Sequence, residues 1–131
     1  MQPLGLIFGA TMLTAVSLGM LRAAESPGTG RVDFRKEVQP ILTKNCLECH
    51  GPEKAKAGLR LDLKVEALKG GDTGALLVAG NPAKSLLIQV VEGTHSEISR
   101  MPRKRDPLAP EQIALLRKWV EQGADWPDAA A

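Results

Sequence analysis

The sequence predicts an all-α domain of short helices joined by long loops. Three observations carry this. Two stretches late in the chain place apolar residues at helical spacing behind proline-marked starts. Only one short segment, Leu59–Leu63, alternates at period two. No internal repeat or low-complexity tract interrupts the pattern. At 131 residues the chain has the size of one ordinary domain. Charged residues at 24% and apolar residues at 44% place it with soluble globular domains and exclude a disordered chain.

The elements follow in order. Pro3–Leu21 contains no charged residue and runs into Arg22-Ala23-Ala24. Residues 1–24 therefore read as an export signal cut after the small residues, or as the same apolar run retained as a membrane anchor. Of 17 Lys and Arg only Arg22 falls in that leader, and all 15 acidic residues follow it. The charges of the remaining chain nearly cancel, which argues against a nucleic-acid partner. Residues 25–31 (ESPGTGR) are a linker by composition, and 32–128 form the domain. Asp33 caps a helix from Phe34, with Val38, Ile41 and Leu42 on one face, and Pro40 should break or kink it. Leu59–Leu63 is a short extended or irregular segment. Val65–Lys69 is a short helix stopped by Gly70-Gly71. Asn81-Pro82 opens a helix whose apolar face is Leu86, Leu87, Val90 and Val91, ending at Gly93. Pro110 opens the last helix, with Ile113, Leu116, Trp119 and Val120 inward and Gly123 at its end.

The two cysteines lie in Cys46-Leu47-Glu48-Cys49-His50. C-x-x-C-H is the attachment signature of a c-type haem. Residues three apart share a face of a helical turn, so two thiols can reach the vinyl groups on one side of a porphyrin. The histidine that follows can then offer a ring nitrogen to the iron. The rival readings are a disulfide or dithiol, which leaves His50 without a task, and zinc, which asks for four ligands. Aromatic residues are few: Phe34, Trp119 and Trp126 are all that lie beyond the leader. A covalently held porphyrin would supply packing surface that aromatic side chains supply elsewhere.

Met1, Met12 and Met20 belong to the leader, so Met101 is the methionine left to the domain. Its thioether suits the second axial position, and Pro102 stiffens its loop. His95 is the rival ligand, and an open sixth site is the third possibility.

The chain resembles the planctomycete-type cytochrome c domain. The resemblance rests on VDFRKEVQPILTKNCLECHGPEKAKAGLRLD (32–62), GGDTGALLVAGNPAKSLLIQVV (70–91) and MPRKRDPLAPEQIALLRKWVEQGADWP (101–127). It implies a class I-like cytochrome c fold, one covalent haem c and single-electron transfer without bond-making catalysis. It also implies attachment at Cys46 and Cys49, with His50 proximal and Met101 distal. Two departures stand out: Met101-Pro102-Arg103 where the family often has Met-Pro-Pro, and Ala57-Gly58 where it often has Gly-Gly.

Further residues have two readings each. Arg60 can bond a haem propionate or pair with Asp62. Lys54, Lys56, Arg100, Arg103, Lys104 and Arg105 form either a positive rim that steers an acidic redox partner or a solvated loop. Trp119 and Trp126 either pack on the haem or belong to the helical core. The expectation is an exported electron carrier in the periplasm or on the outer face of the membrane, tethered if the leader is kept. A haem enzyme or sensor with an open sixth site, or a dithiol or zinc module, is the alternative.

Overall fold

The computed structural model describes Gly5 and residues 30–128; the expectations for the leader, with Met1, Phe8, Met12 and Met20, and for most of the linker lie outside the described residues. The described chain is helices, turns and loops with no strand, in accord with an all-α reading. Two isolated bridges, His50–Ala55 and Gly71–Gly74, pin loops.

The first helical segment does not break at Pro40. A π-helical turn, Phe34–Val38, runs directly into α1, Gln39–Asn45. The Gln39 N–H reaches back to the Phe34 carbonyl, one residue further than in an α-helix. A proline ring collides with the carbonyl four residues earlier, and a widened turn ahead of it relieves that collision. The Asp33 carboxylate accepts the Lys36 N–H at 3.0 Å and caps the segment. Phe34, Val38, Ile41 and Leu42 are all buried.

Leu59–Leu63 is irregular extended chain: Leu61 is buried, while Leu63 is exposed. α2, Lys64–Lys69, is barely more than a turn and buries only Ala67. Gly70, at φ 76°, ends it. A Cβ at Gly70 would lie 2.1 Å from the Gly74 carbonyl oxygen, so the loop closes on glycine by necessity.

The helix expected to run from Pro82 to Gly93 is two pieces. Pro82–Lys84 is a 3₁₀ turn, capped by the Asn81 side chain as expected. Ser85 is extended, and α3 begins after it, Leu86–Glu92. The break is fixed by a fully buried hydroxyl. Ser85 Oγ accepts the Val78 N–H at 2.9 Å and lies 2.9 Å from the Asn81 carbonyl, to which it donates. Gly93 takes the left-handed conformation and ends α3.

α4, Pro110–Glu121, forms as expected. The Gln112 side chain accepts the Ala109 N–H at 3.0 Å at its start. Leu116, Trp119 and Val120 are buried. α4 packs against α3 and the Phe34–Val38 turn. Arg117 on α4 bonds Glu92 on α3 at 2.7 Å. The three aromatics converge: Phe34 stacks on Trp126 with centroids 4.6 Å apart, and Trp119 lies 5.7 Å from Phe34 and 6.1 Å from Trp126. The Trp119 indole N–H donates to the Asp125 carbonyl at 2.8 Å, which satisfies its polar edge inside the core. Gln122, just past α4, ties down the start of the domain by accepting the Val32 N–H at 2.8 Å.

Candidate functional site

The C-x-x-C-H segment continues the line of α1. The Cys46 N–H bonds the Leu42 carbonyl at 2.9 Å, and the Cys49 and His50 N–H groups both return to the Cys46 carbonyl, at 3.1 and 2.9 Å. Cys46 and Cys49 are thereby set one turn apart, and both are free thiols. Gly51 then turns the chain. A Cβ there would lie 2.3 Å from the Leu47 carbonyl oxygen, so backbone packs directly on its α-carbon. The returning loop is tied to the motif by Lys56 N–H to Cys49 carbonyl, 2.9 Å, and Leu61 N–H to His50 carbonyl, 2.7 Å. Ala57 in that loop is left-handed, φ 52°. The glycine that the resemblance leads one to expect there would adopt this conformation without the Cβ penalty.

Met101 arrives from the other half of the domain. Its N–H donates to the Val90 carbonyl on α3 at 2.8 Å. Next to it, Arg100 donates to the Glu92 carbonyl at 2.9 Å.

Cys46, Cys49, His50 and Met101 line one cavity of about 640 Å³. That volume is of the size that holds small molecules and cofactors, roughly 300–1,000 Å³. The walls are apolar. All four residues expected to form the apolar face of the third helix, Leu86, Leu87, Val90 and Val91, line it, joined by Leu59, Leu61, Leu76, Ile98 and Leu108. The tight loop Asp72-Thr73-Gly74 also contributes. Sequence reasoning did not assign these wall residues to a site; Gly70-Gly71 read only as the stop of a short helix.

The chemistry of the donors fits a haem. Burial pushes the Cys46 thiol up to about 11, against the nearby Arg105 charge. It is therefore a protonated thiol, not the low-pKa thiolate of a redox dithiol. The His50 imidazole is lowered, chiefly by burial, although backbone hydrogen bonding at Leu59 and Lys56 acts the other way. Its Nδ1 is buried with no hydrogen-bond partner. A neutral imidazole keeps a ring lone pair for a metal. Among the described residues no cluster of three or more His, Cys, Asp or Glu is assembled, so the donor set does not suit zinc.

The other expected residues sort clearly. His95 does not line the cavity; its Nδ1 accepts the N–H groups of Glu97 and Ile98, at 3.1 and 3.0 Å. Arg60 also lies outside the lining and forks onto Asp62, with contacts of 2.9 and 2.5 Å. Trp119 and Trp126 stay in the aromatic core and do not reach the cavity. Of the expected basic rim, Lys56, Arg103, Lys104 and Arg105 line the cavity, and Lys54 and Arg100 do not.

A helical domain whose apolar cavity gathers C-x-x-C-H and a methionine has the makings of a c-type cytochrome. Residues 46–104 match the family described as Planctomycete cytochrome C, which supports a planctomycete-type cytochrome c domain. Cytochrome c domains are haem-binding electron carriers, with haem c bound covalently. No curated protein and no solved structure matches the chain significantly.

Proposed function

We propose that residues 32–128 form a mono-haem electron carrier with a class I-like cytochrome c fold. Cys46 and Cys49 attach the haem through thioethers, His50 is the proximal ligand and Met101 the distal one. The observation that carries this reading is that all four side chains line a single apolar cavity, although Met101 lies far from the other three in sequence. When bound, the haem supplies a one-electron ferric/ferrous couple. The protein's own part is to hold and tune it. The leucine and valine walls would shield it from water, burial lowers the pKa of the half-buried His50 ring and so favours its neutral form, and the backbone bond from Met101 to Val90 holds the thioether at the cavity. Because Arg60 is engaged by Asp62 and lies outside the lining, the proposal gives it no contact with the haem.

Export rests on the uncharged run Pro3–Leu21; among the described residues no helix is long and apolar enough to cross a membrane. Lys56, Arg103 and Lys104 at the cavity offer a positive rim for an acidic redox partner. The dithiol and zinc alternatives are disfavoured by the raised Cys46 pKa and by the lack of a four-donor cluster among the described residues. An optical spectrum of protein from cells able to attach haem tests the reading. The expected result is a Soret band in both redox states and a far-red sulfur-to-iron band in the ferric state. A Soret band without the far-red band selects an open-site haem protein, and no Soret band selects a non-haem module.

A further inference from the structure

The loop that carries Met101 is fastened at its far end by Arg105. The Arg105 guanidinium donates through Nη1 to the Lys44 carbonyl at 2.7 Å and through Nη2 to the Glu48 carboxylate. Lys44 lies in the last turn of α1, where carbonyls lack helical partners and a cation meets the negative end of the helix dipole. Glu48 stands between the two cysteines of the motif. One side chain thus ties the distal-ligand loop to the proximal motif, over 61 and 57 residues of sequence. Arg105 and Glu48 both line the cavity. From Pro102 to Pro107 no other hydrogen bond to another element is present among the described residues. Beyond them the chain is anchored again by the buried Leu108.

We propose that Arg105 and Glu48 form a strap that holds the Met101 loop closed over the cavity, making Arg105 a positioning residue for the distal ligand. This rests on the His50/Met101 reading. The strap bonds form only when the loop lies against the motif, so they stabilise the closed, Met-ligated state and not the open one. An outside ligand reaches the iron only from the open state, and its apparent affinity scales with the open fraction. Both partners are partly exposed, with side chains 44% and 69% accessible, so salt should weaken the strap.

The test is titration of the ferric holoprotein with imidazole, read from the Soret shift, for wild type, Arg105→Gln, Glu48→Gln, the double variant and Met101→Ala. Arg105→Gln should bind imidazole about fivefold more tightly than wild type, and Glu48→Gln at least twofold more tightly. The double variant should match Arg105→Gln, because the two residues act as one unit. The difference from wild type should shrink at high salt. An Arg105→Gln affinity within twofold of wild type overturns the strap. So does an effect in Arg105→Gln with none in Glu48→Gln, which would give the guanidinium another partner, such as a carboxylate of the cofactor. Met101→Ala keeps the two readings apart. If it binds imidazole no more tightly than wild type, Met101 is not the ligand and both readings fall. If it binds more tightly while Arg105→Gln does not, the strap alone fails.

Discussion

Replacing Met101 by alanine should remove the far-red band of the ferric protein, move its spectrum toward high spin and lower the reduction potential. A thioether is a soft ligand that favours ferrous iron, and water in its place does not. Axial ligands set haem potentials over roughly 0.8 V, so a fall of at least about 60 mV is expected, tenfold in the ferrous-to-ferric ratio of a one-electron couple. Met101→His should stay low-spin and six-coordinate while also lowering the potential. Both variants should fold, since the cysteines and His50 are untouched and Met101 is only partly buried. Spectroelectrochemical titration measures the effect. An unchanged band and potential in Met101→Ala would assign the iron to another residue. His95 would then have to leave its bonds to the Glu97 and Ile98 N–H groups to take that place.

Gly51→Ala should be among the most damaging single-methyl changes in the domain. The added Cβ would sit 2.3 Å from the Leu47 carbonyl oxygen and 3.2 Å from its carbon. Both are backbone atoms and cannot swing aside. Relief requires opening the turn that holds His50 between its bond from Leu61 and its bond to Cys46. Forced overpacking against backbone costs about 3 kcal/mol, and for a domain of this size the holoprotein should melt more than about 10 °C lower. Haem attachment should fall with it, because the thiols are presented by the same turn. Gly30→Ala is the control, with nothing within 4 Å of its added methyl, and should be neutral within about 0.5 kcal/mol. Equal melting temperatures for the two variants would contradict this packing.

Local signals in the sequence carried much of this structure. α4 was legible because its proline start, its apolar spacing and its closing glycine agree. The break at Ser85 was not, because Asn81-Pro82 and the apolar face beyond Leu86 read as one continuous helix. What divides them is a buried hydroxyl bonded to Val78 in a separate loop, a tertiary interaction with no local signature. Pro40 announced a disturbance but not its form, a π turn that closes one residue wider than an α-helix and packs on α4. The chemistry of the site was legible in C-x-x-C-H and in the scarcity of methionine. That Leu86, Leu87, Val90 and Val91 line a cavity as well as joining the core was not, since either surrounding rewards the same apolar stripe. The bonds from Arg105 to Lys44 and Glu48 join charges of ordinary loop composition, and only the fold brings them together.

The central claim is a porphyrin joined to this polypeptide through Cys46 and Cys49. Mass spectrometry of the denatured holoprotein after extraction with acidified organic solvent tests it most directly. The polypeptide should retain one haem, localised by proteolysis to the peptide containing Cys46 and Cys49. Cys46→Ala and Cys49→Ala should each retain haem less well and fold less stably, since a cofactor bound to the native state stabilises it. A polypeptide that releases all of its haem into the solvent, or that carries none when purified from haem-attaching cells, would contradict the account.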